Sequence, residues 1–69
     1  MTEYLVVLFP QRRGVLLNGA PRGYTSELLE LEGGKYLVSL EPPPDFSPPV
    51  QEIDLRNTSA MEPREVEFE

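Results

Sequence analysis

The chain has 69 residues, 39% of them hydrophobic, a formal net charge of −6, and no cysteine or histidine. Disulfides, Cys/His zinc sites, imidazole bases and thiol nucleophiles are therefore excluded, and stability must come from a core of Leu, Val, Ile, Phe and Tyr. Twelve Asp+Glu against six Lys+Arg is the reverse of the positive footprint that nucleic acid requires.

Tyr4 to Phe9 is apolar without polar alternation and rich in β-branched and aromatic side chains. That pattern predicts a strand covered on both faces and ended by Pro10. Left at a sheet edge it would template aggregation, so it must be central, covered or paired with another chain. No basic region precedes it, no small-residue cleavage site follows, and it is too short to span a bilayer. The chain is expected to be soluble and cytoplasmic, unless it was trimmed from a longer precursor.

Gln11 to Gly14 has the length of a hairpin loop, and Val15 to Leu17 forms a second short strand. Asn18-Gly19 closes it with a tight-turn signal, because both residues tolerate positive φ. Ala20-Pro21-Arg22-Gly23 is expected to return the chain as a loop leading into Tyr24-Thr25-Ser26. Leu28 to Leu31 reads as a third strand, with Leu29 and Leu31 on one face and Leu28 and Glu30 on the other. A helix capped by Thr25 or Ser26 is the rival here. Gly33-Gly34 would stop it after barely two turns, too few to stand alone, and the strand is preferred. After a turn at Glu32-Gly33-Gly34, Lys35 to Leu40 alternates: Tyr36, Val38 and Leu40 point one way, Lys35, Leu37 and Ser39 the other.

Glu41 to Pro49 holds five of the eight prolines and is expected to be a stiff extended excursion outside the sheet. Val50 to Leu55 resumes as a strand with Ile53 and Leu55 on one face. Arg56 to Pro63 is a polar loop. In Arg64 to Glu69, Val66 and Phe68 face inward between Glu65, Glu67 and Glu69. About six short strands punctuated by turns predict one all-β domain over residues 1–69, a small antiparallel β-sandwich or open barrel.

The pieces Val15-Leu16-Leu17-Asn18-Gly19, Gly23-Tyr24-Thr25, Leu29-Glu30-Leu31 and Gly34-Lys35-Tyr36-Leu37-Val38 follow a recognisable order. Together, residues 14–40 resemble the PEGA domain, a small bacterial β-sandwich module, and Ile53-Asp54-Leu55 extends the likeness weakly. Ser26 stands where that family usually has proline, and Gly33 replaces the proline before Gly34. Pro42 to Phe46 replaces the family's Gly-Tyr after the tyrosine strand. The resemblance implies a non-catalytic module, attached to other domains or repeated, often in surface or envelope contexts, with no catalytic residues to carry over.

Chemistry-bearing patterns are sparse. Ser26, Ser39, Ser47 and Ser59 lie in no nucleophile-elbow context, the glycines form no phosphate loop, and no EF-hand spacing is present. Glu52/Asp54 and Glu65/Glu67 alternate with core residues and read as solvated strand faces. Asn57-Thr58-Ser59 is a formal glycosylation sequon, read as an accidental match without a secretory signal. No cofactor or metal is expected.

Two features suit binding. Arg12, Arg13 and Arg22 cluster near one end of the predicted sheet, where an acidic partner would fit; ordinary hairpin arginines are the plainer account. Phe46 stands between proline runs without any P-x-x-P, and is either a recognition residue or a cap on the core. Three arginines against one acid give residues 1–25 a local +2, and three cations against eleven acids give residues 26–69 a local −8, a division that can steer a partner. The expected function is a non-enzymatic protein-interaction or scaffolding module bound through an edge strand, with no nucleic acid and no membrane insertion. The alternatives are homodimerisation by edge pairing at Tyr4–Phe9 or Arg64–Glu69, and a small-ligand carrier using space under the proline excursion.

Overall fold

The computed structural model, which describes residues 1–69, has seven strands and no helix; apolar and polar side chains alternate in the last four strands, whereas the first is apolar throughout its centre. The strands are β1 (Thr2–Leu8), β2 (Gly14–Leu17), β3 (Ala20–Tyr24), β4 (Leu28–Glu32), β5 (Gly34–Leu40), β6 (Gln51–Leu55) and β7 (Arg64–Glu67). They form a three-stranded sheet in the order β4-β1-β7 and a four-stranded sheet in the order β3-β2-β5-β6. The fold is a small all-β one, and Leu28–Glu32 is a strand, not the rival helix. Four pairings are antiparallel, as expected of a meander. The fifth departs from that expectation: β1 and β7 run parallel, from Leu5 opposite Arg64 to Leu8 opposite Glu67.

One cluster of eleven buried side chains lies between the sheets. Leu5, Val7, Leu31, Val66 and Phe68 face inward from the three-stranded side, and Val15, Leu17, Val38, Leu40, Ile53 and Leu55 from the other. The alternation expected of β5, β6 and the C-terminal segment matches this set. Burying a side chain of this kind contributes about 1.5–3 kcal/mol, so nearly all of them are needed in a chain this short.

Asn18 and Gly19 have φ of 52° and 83°, the two left-handed positions of a type I′ turn. The segment after it corrects the sequence expectation, since Ala20–Tyr24 is an edge strand and not a loop. Leu17 pairs with Ala20 and Leu16 with Pro21. In an antiparallel ladder these pairs alternate, so the Pro21 nitrogen points away from β2 and no ladder hydrogen bond is lost. Gly23, at φ 97°, brings β3 against the opposite sheet; a Cβ there would lie 2.6 Å from Leu29 Cδ2.

The proline excursion folds back over one end of the sandwich. Phe46 packs edge-on between Phe9 and Phe68, with ring centroids 6.3 and 5.7 Å apart. Ser47 and Glu69 exchange two backbone hydrogen bonds, of 2.8 and 2.9 Å.

Candidate binding face

β1 is hydrogen-bonded on both sides, to β4 and to β7. Tyr4–Phe9 is therefore no edge, and that route to self-pairing is closed. The expectation that both of its faces are covered is only half met. Leu5 and Val7 point into the core, so Tyr4, Val6 and Leu8 point the other way, onto the outer surface of the three-stranded sheet. Register puts Leu28 beside Val6, extending the apolar stripe onto β4, where Leu28 is 47% exposed. The stripe has an acidic border. Glu30 stands opposite Tyr4, Glu65 opposite Val6, Glu67 opposite Leu8, and Glu32 opposite Thr2. None of the strand residues pointing outward here is Lys or Arg. Glu32 lies 3.6 Å from the N-terminal amine, whereas Glu30, Glu65 and Glu67 take part in none of the four ion pairs.

At the Leu8 end the face runs into a shallow groove. Leu8, Phe9, Pro10 and Phe68 line its apolar part, and Glu67 and Glu69 border it. The other large surface contrasts with this one. The outer side of the four-stranded sheet mixes Lys35, Leu37, Ser39, Glu52 and Asp54, with apolar and charged groups interspersed.

The arginines singled out in the sequence have separate environments. Arg13 is 11% exposed, and its Nη1 donates to Glu41 O, Pro43 O and Asp45 Oδ1 at 3.2, 3.0 and 3.0 Å. Its Nη2 donates to Asp45 Oδ2 and Gln11 Oε1, each at 3.3 Å, and its guanidinium lies 5.2 Å from the Phe9 ring centre. Arg12 pairs with Glu27 at 2.9 Å and covers the Tyr24 ring at 4.4 Å. Arg22 is exposed and in no ion pair. Much of the expected +2 patch is thus neutralised within the molecule. Phe46 is half-buried in the aromatic trio, as a cap on the core would be.

Thr25 and Glu3 act as internal tethers that the sequence did not single out. The buried Thr25 hydroxyl donates to Gln11 O and accepts from Arg13 N–H, both at 2.9 Å, fixing the β1–β2 connection. Glu3 Oε1 accepts from the Thr58 N–H at 2.9 Å and from its hydroxyl at 2.5 Å, and the Thr58 hydroxyl accepts from Tyr4 N–H. Hydrogen bonding by Thr58 lowers the Glu3 pKa, and hydrogen bonding by Arg13 lowers that of Asp45. Both carboxylates tie separate segments of the chain together through these hydrogen bonds. No group of three or more His, Cys, Asp or Glu side chains is placed to hold a metal ion, and no helix is long and apolar enough to cross a membrane.

Comparison with known families, curated proteins and solved structures yields no match for this chain.

Proposed function

We propose that this chain is a non-catalytic protein-interaction module whose docking surface is the outer face of the β4-β1-β7 sheet. The observation that carries the proposal is the stripe of Tyr4, Val6, Leu8 and Leu28 on the outer side of this sheet, with Leu28 exposed and the three β1 side chains partly exposed. A central strand normally alternates polar residues toward solvent, and apolar groups collected on one exposed face mark a contact surface. The likeness of residues 14–40 to the PEGA module supports the same reading, since that family's members are non-catalytic. The face itself, and not an edge strand, is the surface proposed: the outer edge of β7 is partly occupied, by the Ser47–Glu69 exchange and by Gln51 Nε2 donating to Glu67 O at 2.7 Å.

Affinity capture with the parent, Val6→Lys and Leu37→Lys proteins tests this. Both substitutions sit on outer sheet faces and should leave the thermal melt nearly unchanged. A captured protein should be lost with Val6→Lys and kept with Leu37→Lys. Capture insensitive to Val6→Lys, or abolished only by Leu37→Lys, would refute the proposed face.

A further inference from the structure

We infer that the occupant of this face is a single basic amphipathic helix of another protein, its apolar side on the Tyr4-Val6-Leu8 stripe and its Lys or Arg side chains against Glu30, Glu65 and Glu67. The inference rests on the docking face proposed above, and adds the chemistry of its partner.

Dimensions come first. Three strands at about 4.8 Å spacing are about 14 Å wide, and the seven residues of β1 span about 23 Å. The face therefore offers on the order of 300 Å², a small site for any partner. A second copy stacked face to face would set the unpaired Glu30, Glu65 and Glu67 of one copy against those of the other. One helix fits better, being about 10–12 Å across with its side chains and covering about 23 Å in roughly 15 residues.

Charge then selects the sign of the partner. Three unpaired carboxylates border the stripe, and no outward strand residue on this face is cationic. A cationic helix places Lys or Arg over both borders while its leucine-type positions cover the stripe, the spacing used in helix-in-groove recognition. At the Leu8 end, the groove bordered by Glu67 and Glu69 over Phe9 and Pro10 receives the aliphatic stem and charged head of one such side chain. Anionic partners, whether acidic peptides, nucleic acid or acidic lipid, meet the same border as repulsion.

The test is a titration of isotopically labelled protein, followed by amide NMR shifts. Its probe is a synthetic 15-residue helical peptide with leucines on one face and lysines on both flanks, and the control carries glutamates at the flanks. The lysine peptide should shift Val6, Leu8, Glu65 and Glu67 amides, and the glutamate peptide should not. A Glu30→Gln/Glu65→Gln/Glu67→Gln variant, altered only at exposed positions, should bind about tenfold more weakly, the effect of losing three exposed charge pairs. Equal binding of both peptides, or shifts confined to other surfaces, overturns the inference. Lack of peptide binding alongside capture that depends on Val6 overturns the helix and its charge but leaves the face standing. If neither appears, both proposals fall. A doubled mass in light scattering that Val6→Lys abolishes would assign the face to a second copy and overturn the inference equally.

Discussion

Arg13 grips Asp45 with both terminal nitrogens, at 3.0 and 3.3 Å, across 32 residues of chain. The same guanidinium holds the carbonyls of Glu41 and Pro43, so one side chain fastens the proline excursion to the β1–β2 connection. Arg13→Ala should therefore lower the melting temperature more than Asp45→Asn, which leaves both carbonyl contacts in place. Arg13→Lys should fall close to the alanine variant, because a single ammonium cannot reproduce the planar fork. Equal melts for the alanine and asparagine variants would show that the carbonyl contacts contribute nothing.

Acid sensitivity follows from Asp45 and Glu3. Both pKa values are lowered in the folded chain, by Arg13 and by Thr58 respectively. A carboxylate whose folded pKa lies below its unfolded one adds stability above the unfolded value and loses it as pH falls through the folded value. The parent should melt progressively lower as pH drops below about 4, the ordinary carboxylate range. Glu3→Gln/Asp45→Asn should start lower at neutral pH and lose less on acidification. Parallel melting curves for the two proteins would dismiss these groups as acid-sensitive ties.

Neighbouring positions on β1 should respond in opposite ways to the same residue. Val7 is fully buried in the central strand, and Val7→Lys should leave a chain that does not fold, by circular dichroism at 25 °C. Val6→Lys, one residue earlier and on the outer face, should fold with a melt close to the parent's. If Val7→Lys folds normally, the assignment of the two faces is wrong.

Glycines 19 and 23 differ although both have positive φ. Nothing lies within 4 Å of a Cβ at Gly19, so Gly19→Val should cost about 1 kcal/mol through backbone conformation alone. Gly23→Ala carries a similar conformational cost and also drives a methyl group into Leu29. Gly23→Ala should therefore be more damaging than Gly19→Ala. In a Leu29→Ala background, the cost of Gly23→Ala should shrink toward the conformational part. Additive costs in that double-mutant cycle would remove the contact from the account.

Local signals carried much of the fold. Asn18-Gly19 was legible because few residue pairs accept two left-handed φ values, and Tyr36, Val38 and Leu40 because a period of two has one strand reading. Residues 20–24 read as a loop because Pro21 and Gly23 are turn residues except at a sheet edge, where a missing N–H and a missing side chain are tolerated. The parallel pairing of β1 with β7 leaves no local trace, since it joins residues about sixty positions apart. The candidate face was partly visible, as β1 lacked the polar alternation of a solvated strand. Which of its sides was left uncovered depended on β4 and β7. The acidic border leaves no local trace for the same reason: Glu30, Glu65 and Glu67 meet only through register.

The parallel contact between the first and last strands also fixes how the chain bears load. β1 enters the sheet from its Thr2 end, and β7 leaves it at the opposite end, beyond Glu67. Tension applied between Met1 and Glu69 would drag these two strands past one another along their length. The backbone bonds between them, and the Phe68 N–H to Leu8 O bond that continues the ladder, would be strained together instead of parting in sequence. In a polypeptide under tension, the β1–β7 pairing would be loaded in shear and not unzipped one bond at a time.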